Sequence, residues 1–229
     1  MNTQDLLGRI EPLLSRVNKP IQYVGGEYNS IVKEWQDVDV RWVLMYPDAY
    51  EVGQPNQGVA ILYEVLNERD WILAERTYSV WPDMEKQMRA AGIPQFTLDG
   101  HRPVRDFDIM SVSLSTELGY TNMLNAIDLA GIPVRQADRT DTDPIVLIGG
   151  HAAFNPEPVA DFIDAAVLGD GEEACLEISE IIRDWKKEGC PGGREGLLVR
   201  LAATGGIYVP SFYDVEYLDD GTIGKVAPN

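Results

Sequence analysis

Residues 40–47 have the sequence VRWVLMYP, an apolar run of strand length that ends at a proline. A helical pattern follows over residues 58–69, where apolar side chains recur on one helix face. This succession of a short apolar run and a helical pattern recurs along the chain. The predicted strands are 40–47, 71–79, 108–115, 145–148 and 164–168. Five strand-plus-helix units with short connections predict an α/β fold, in which a five-stranded parallel sheet carries helices on both faces.

Length and composition restrict what this sheet can belong to. The chain has 229 residues, 45% of them hydrophobic, and a formal net charge of −18. This length suits one sizeable α/β domain with appendages. The acidity argues against nucleic acid and anionic membranes as partners, because both attract basic proteins. The N-terminus does not resemble a signal peptide and no run approaches 18 apolar residues, so we expect a cytoplasmic protein.

The two ends of the chain differ from its middle. Residues 1–39 predict a helical extension packed on the edge of the core, and residues 40–190 form the main domain. Residues 191–229 predict a helix and then a β-hairpin, which begins at Tyr208 and turns at Asp219-Asp220-Gly221. Because the hairpin ends at the last residue, we expect the sequence to be the front part of a longer polypeptide.

We expect a ligand site in the loops after the strands, because parallel sheets bind ligands beyond the carboxyl ends of their strands. The loop after the first strand carries Asp48, Tyr50, Gly53 and Gly58 at the start of a helix, where backbone N–H groups attract anions. An ordinary turn with a helix cap explains this loop equally well. Its spacing is neither GxGxxG nor a Walker A motif, which argues against a dinucleotide or a nucleoside triphosphate.

Serines and glycines mark three further loops on the same rim. Serines 111, 113 and 115 alternate with apolar residues, so they share one strand face. Small residues there either let a helix pack closely or form a slot for a planar, partly polar ligand group. Gly149-Gly150 and Gly169-Asp170-Gly171-Glu172 end two later strands. Either pair alone is typical of a turn, but several glycine-bearing loops on one rim favour a ligand cleft.

Other residues with chemical potential have simpler explanations. His151 is interpreted as a hydrogen-bonding loop residue, and His101 has no evident partner in the sequence. Cys175 lies on the apolar face of a helix and is predicted to be a core residue, while Cys190 lies in a Pro/Gly turn. With two cysteines in the chain, neither a disulfide framework nor a metal cage is expected. No catalytic residue and no metal ligand is predicted.

These loops resemble those of a known group of proteins. The chain is similar to the N-terminal, cobalamin-binding-type domain of a subfamily of radical S-adenosylmethionine (radical SAM) proteins. The matching stretches span nearly the whole chain, and the combination is more specific than any one of them. The main ones are PDAYEVG at 47–53, ELGYTN at 117–122, GG at 149–150 with NPEP at 155–158, GDGE at 169–172 and YVPSFY at 208–213.

The resemblance implies a Rossmann-like (flavodoxin-like/cobalamin-binding) domain whose loops surround the nucleotide tail of a corrinoid. It also implies a radical SAM barrel in cis, which holds a [4Fe-4S] cluster on a CxxxCxxC motif and cleaves S-adenosylmethionine. The chain has no such motif, so we expect no catalytic activity from it alone. The residues expected to bind the cofactor are Asp48, Tyr50, Gly53, Ser113, Ser115, Gly149, Gly150, Gly169 and Gly171.

One departure from the resembled pattern concerns cobalt. Cobalamin-dependent mutases and methyltransferases carry an Asp-x-His-x-x-Gly loop whose histidine binds cobalt, and this chain has Asp48-x-Tyr50-x-x-Gly53 instead. We therefore expect cobalamin without histidine ligation, with Tyr50 packed against the lower face of the corrin or blocking it. The alternative is a degenerate module without cobalamin, which docks a small-molecule substrate or another protein. An independent flavodoxin-like or receiver domain has less support, because neither a flavin phosphate loop nor an acidic phosphoacceptor cluster is evident.

Overall fold

The computed structural model describes residues 3–229, and the helices and strands follow the predicted order. The helices are α1 (Thr3–Leu14), α2 (Tyr50–Gly53), α3 (Gln57–Asn67), α4 (Pro82–Ala91), α5 (Tyr120–Leu129), α6 (Gly171–Lys187) and α7 (Gly193–Ala202). The strands are β1 (Val40–Tyr46), β2 (Ile72–Tyr78), β3 (Ile109–Ser113), β4 (Ile145–Gly149), β5 (Ala165–Val167), β6 (Ile207–Tyr208), β7 (Tyr213–Tyr217) and β8 (Ile223–Pro228). Short 3₁₀ turns fill the connections, notably at 151–154 and 157–162 between β4 and β5.

The main sheet has the strand order β2-β1-β3-β4-β5-β6. Strands β1 to β5 are all parallel, which confirms the predicted five-stranded parallel sheet. The order 2-1-3-4-5 is that of flavodoxin-like doubly wound folds. Chain connections leave β1 and β3 in opposite directions, and a crevice opens at that switch point beyond the carboxyl ends of the strands.

The predicted C-terminal hairpin is confirmed, but it is shorter than predicted and a sixth strand precedes it. Residues 207 and 208 pair antiparallel with β5 and extend the main sheet. The hairpin was expected to begin at Tyr208, but its first strand begins at Tyr213 because a 3₁₀ turn over Pro210–Phe212 separates the two segments. The β7–β8 hairpin forms a sheet of its own. Helix α7 and β6 contribute Leu198, Leu201 and Ile207 to the core of the main sheet.

Two apolar cores cover the two faces of the sheet, as alternating side chains in β1 show. Trp42 and Leu44 face a core formed with α3, α6 and α7, whereas Val43 and Met45 face a core formed with α5. A third core lies between α1 and α4. Helices on both faces therefore confirm the doubly wound arrangement.

Helix α6 is the long amphipathic helix that covers the candidate site. Its buried positions include Cys175, Ile178, Ile182 and Trp185, which recur at helical spacing. Two acids lie in its first turn and two lysines in its last turn. These charges complement the helix dipole and stabilise the helix.

Candidate functional site

A cavity lies between α3, α6 and the carboxyl ends of strands β1, β3, β4 and β5. Its volume is about 430 Å³, within the roughly 300–1,000 Å³ of sites that hold small molecules. It extends from the glycine loops at the rim down to Trp42 and Ile178 beneath α6. The sequence produces this space because serine and glycine occupy strand positions that larger side chains would fill.

One wall of the cavity is polar and comes from a single face of β3 and the loop after it. Ser111, Ser113 and Ser115 all line the cavity. Ser111 is only 8% exposed, and the hydroxyls of Ser111 and Ser113 have no hydrogen-bond partner among the described residues. The hydroxyl of Ser115 lies 3.4 Å from that of Tyr46. Neither serine oxygen is among the fully buried side-chain atoms without a partner, so these hydroxyls face the cavity, and this wall is suited to a ligand that offers hydrogen-bonding groups.

The opposite walls and the base are apolar. Their side chains belong to the core beneath α3 and α6 and are Trp42, Leu44, Leu62, Leu147, Val167 and Ile178. The indole N–H of Trp42 donates to Oγ of Ser179 at 2.9 Å, and that hydroxyl donates to the carbonyl of Cys175 at 2.7 Å. Both side chains are buried, so this bond fixes the base of the cavity to α6.

Cys175 also lines the cavity but is not a nucleophile. Its thiol is buried and donates weakly to the carbonyl of Glu172 at 3.3 Å. Burial raises the pKa of the Cys175 thiol to about 11. The sulfur therefore stays protonated at neutral pH and acts as a small apolar group.

The glycines at the rim serve different purposes. Gly149 ends β4, and a β-carbon there would meet nothing within 4 Å, so its missing side chain leaves cavity space open. Gly150 has φ of 93° and a β-carbon would lie 2.7 Å from the carbonyl oxygen of Leu114. Gly169 has φ of 137°, a backbone conformation that favours glycine. At Gly171, the first residue of α6, a β-carbon would lie 3.1 Å from Leu62 of α3. Gly171 thus lets the two helices approach closely.

The cavity has acidic residues at its mouth and no lysine or arginine in its lining. Asp170 and Glu172 line it beside His151, and Asp170 makes no side-chain cap to α6. Asn56 closes the other side, where its Oδ1 accepts the N–H of Val59 and caps α3. Fully charged anionic groups are therefore poorly matched to the interior, whereas neutral polar groups suit it.

Six of the nine predicted cofactor-binding residues line this cavity. They are Ser113, Ser115, Gly149, Gly150, Gly169 and Gly171. The other three, Asp48, Tyr50 and Gly53, belong to the loop after β1 and do not line it. The structure also adds lining residues that were not among the nine, including Trp42, Asn56, Leu62 and Ser111. Of these, Ser111 had a signal in the sequence, since it shares the serine face.

The loop after β1 turns toward the N-terminal extension. The Tyr50 hydroxyl donates to Oε1 of Glu27 at 2.7 Å, and its ring packs edge-on against Tyr78. Burial and the Glu27 bond raise the pKa of Tyr50 to about 12. Gly53 lies beneath Tyr78, where a β-carbon would approach the ring to 2.4 Å. Asp48 is exposed and accepts the N–H of Ala49 at 2.7 Å. These contacts stabilise the loop itself.

Within residues 3–229, no group of three or more His, Cys, Asp or Glu side chains is placed to hold a metal ion. None of the described helices is both long enough and apolar enough to cross a membrane.

The topology and the cavity define a doubly wound α/β domain with a ligand-sized site at the carboxyl edge of its sheet. Residues 58–210, about two thirds of the chain, match the family model described as radical SAM proteins, N-terminal. The chain belongs to this family. The match includes all cavity-lining residues except Trp42, Leu44 and Asn56. No curated protein and no solved structure matches the chain.

Proposed function

We propose that this domain binds a corrinoid and holds its nucleotide tail in the cavity between α3 and α6, for use by a radical SAM barrel in cis. The observation that carries this proposal is the cavity itself, with a serine wall on β3 and open space above Gly149. Family membership supports the part of the proposal that concerns the barrel in cis, because a radical SAM protein implies a [4Fe-4S] cluster and S-adenosylmethionine in its full-length form.

The residues present fit the tail of a corrinoid. The uncharged base and ribose of the tail would lie along the serine wall, from Ser115 in the loop after β3 to Ser111 at depth, over roughly 13 Å of extended backbone. The phosphodiester of the tail is anionic and would lie outside the interior. The indole of Trp42 and the side chain of Leu147 offer apolar contact, and the serine hydroxyls offer hydrogen bonds. A corrinoid, when bound, supplies a cobalt centre that exchanges an alkyl group or an electron.

Cobalt would have no protein ligand from the loop after β1. Tyr50 replaces the histidine of the resembled motif, and its hydroxyl is engaged by Glu27. With a pKa raised to about 12, the phenol stays protonated, and a neutral phenol is a poor metal ligand. The role of this chain's residues is thus to bind the tail, exclude water from it and orient it.

A second function from another class is a docking module without a corrinoid. Exposed apolar side chains stand on the segments that follow β1, β3 and β4: Val52 is 50%, Leu118 88% and Phe154 66% exposed. Such residues are typical of contact with another protein surface. This reading needs neither the serine wall nor the open space at Gly149, so cavity variants distinguish the two functions.

Retention of hydroxocobalamin by the purified chain tests the proposal. We expect the corrinoid to remain bound after desalting, with a visible spectrum that reports it. After reduction to cob(II)alamin, the electron paramagnetic resonance spectrum should lack nitrogen superhyperfine splitting, since the base lies in the cavity and no histidine replaces it. A chain that retains no corrinoid would refute the proposed function.

The cavity variant Gly149→Val shows where the corrinoid binds. Its side chain enters open space and suits a strand, so the protein should fold while its affinity for the corrinoid falls at least tenfold. Gly205→Val is the matched control, because a β-carbon there also meets nothing within 4 Å and residue 205 is outside the cavity. Equal affinities of the two variants would show that the tail does not enter the cavity.

A further inference from the structure

The serine wall of the cavity can form more hydrogen bonds than a ligand with a single free ring nitrogen can satisfy. The hydroxyls of Ser111 and Ser113 are both without a protein partner among the described residues. They lie two residues apart on one strand face, roughly 6.6 Å along the strand. Ser111 is the deeper of the two and is more than nine-tenths buried. A ligand that satisfies both must offer polar atoms at its middle and at its far end.

The bases found in corrinoid tails differ in this respect. 5,6-Dimethylbenzimidazole has one free ring nitrogen, and its far edge carries two methyl groups. A purine such as adenine has additional ring nitrogens and an exocyclic amino group on the far edge. A hydroxyl both donates and accepts, so it can pair with either kind of purine atom. Methyl groups facing Ser111 would leave its hydroxyl buried without a partner.

The apolar part of the cavity fits a purine and 5,6-dimethylbenzimidazole equally, so it does not favour one base over the other. Trp42, Leu44 and Leu147 supply apolar contact to a planar ring. The lining contains no lysine or arginine that would favour an anionic group instead. Selection between neutral bases therefore depends on the serine wall, and in particular on its deep end.

We propose that the cavity prefers corrinoids whose lower base is a purine over those with 5,6-dimethylbenzimidazole, and that Ser111 is the specificity-determining residue. This inference rests on the proposed function, since it concerns the group that the same cavity would hold. It assigns to Ser111 a direct hydrogen bond to the far edge of the base.

The test measures dissociation constants of the purified chain for three corrinoids by equilibrium dialysis. The probes are an adenine-bearing cobamide, cobalamin, and cobinamide, which lacks the nucleotide. We expect the adenine form to bind about tenfold more tightly than cobalamin, the factor that one buried hydrogen bond supplies, and cobinamide to bind most weakly. Ser111→Ala should weaken binding of the adenine form and bring its dissociation constant close to that of cobalamin.

Folding and specificity controls accompany this comparison. Ser111→Ala removes a cavity-facing hydroxyl that has no protein partner, so its thermal unfolding midpoint should stay close to that of the wild type. Ser211→Ala, at an exposed position away from the cavity, should keep the wild-type preference. Equal binding of the adenine form and cobalamin by the wild type would overturn the inference and leave the proposed function standing. Equal binding of cobinamide, or no binding of any corrinoid, would overturn both.

Discussion

The carbonyl oxygen of Leu114 stands 2.7 Å from the position that a β-carbon on residue 150 would occupy. This approach joins the loops after β3 and β4, and the same carbonyl accepts the N–H of Ala152 at 3.0 Å. A β-carbon on the neighbouring Gly149 would meet nothing within 4 Å. Two adjacent glycines thus have opposite roles, since one permits close backbone packing and the other leaves space for a ligand.

Alanine at these two positions should have opposite effects on stability. Gly150→Ala combines a clash with backbone and a positive φ, and we expect it to lower the free energy of unfolding by about 1–3 kcal/mol. Gly149→Ala has neither problem and reduces the entropy of the unfolded chain, so it should raise that free energy by about 0.4–1 kcal/mol. Urea unfolding of both variants measures the difference. Equal stabilities would contradict the assigned roles.

The bond between Trp42 and Ser179 should be important for the base of the cavity. Ser179→Ala leaves the buried indole N–H without a partner, and we expect a loss of about 1–3 kcal/mol in unfolding free energy. Under the proposed function, corrinoid affinity should also fall, because Trp42 is then no longer fixed. Chemical denaturation gives the first quantity and dialysis the second. Ser211→Ala serves as the control, and wild-type stability of Ser179→Ala would show that this hydrogen bond is unimportant.

Much of the fold could be predicted from local patterns because each strand and helix is consistent with its own sequence. The apolar run at 145–148 and the alternation at 108–115 appear as β4 and β3, and the rim glycines lie where strands end. The short strand β6 could not be found in this way. Two residues of strand give no period, and their pairing with β5 depends on a tertiary contact.

The candidate site was predictable to the extent that it consists of small residues at strand ends. The orientation of Tyr50 was not predictable, because it depends on Glu27 and Tyr78, which are distant in sequence and meet it only in the fold. The burial of His101 could not be predicted from the sequence either. Its sequence surroundings are charged, yet it is only 7% exposed and stacks on Phe96.

The buried ion pairs of Asp164 should contribute strongly to stability. One of its oxygens accepts from both Arg139 and Arg194 at 2.7 Å, and the Arg139 and Asp164 side chains are fully buried. Asp164→Asn leaves two buried guanidinium groups without a counter-charge, so we expect a loss of about 3–5 kcal/mol. Asp161→Asn is the matched control, because its pair with Arg135 is mostly exposed and should contribute less than about 1 kcal/mol.

Unfolding titrations of these two variants give the comparison directly. Asp164→Asn should shift the denaturation midpoint to much lower urea, while Asp161→Asn should leave it close to that of the wild type. Similar midpoints for both variants would show that burial of the Asp164 pairs adds no stability beyond that of a surface pair.

Acidification should destabilise the contact between the N-terminal extension and the core through His101. Its Nε2 lies 3.2 Å from the carbonyl oxygen of Tyr23, and burial lowers its pKa below the ordinary value of 6.5. The unfolded chain therefore binds a proton more readily than the folded one. The contribution of His101 to stability is present above pH 6.5 and is lost as the pH falls through the lower folded-state pKa.

The measurement is the free energy of unfolding between pH 7.5 and 5.5 for the wild type and His101→Asn. Asparagine tolerates the positive φ of 47° at this position, so the variant should fold, with a lower baseline stability. The wild type should lose more stability on acidification than the variant, by about 1.4 kcal/mol for each unit between the folded and unfolded pKa values. Parallel curves for the wild type and His101→Asn would show that another group causes the pH dependence.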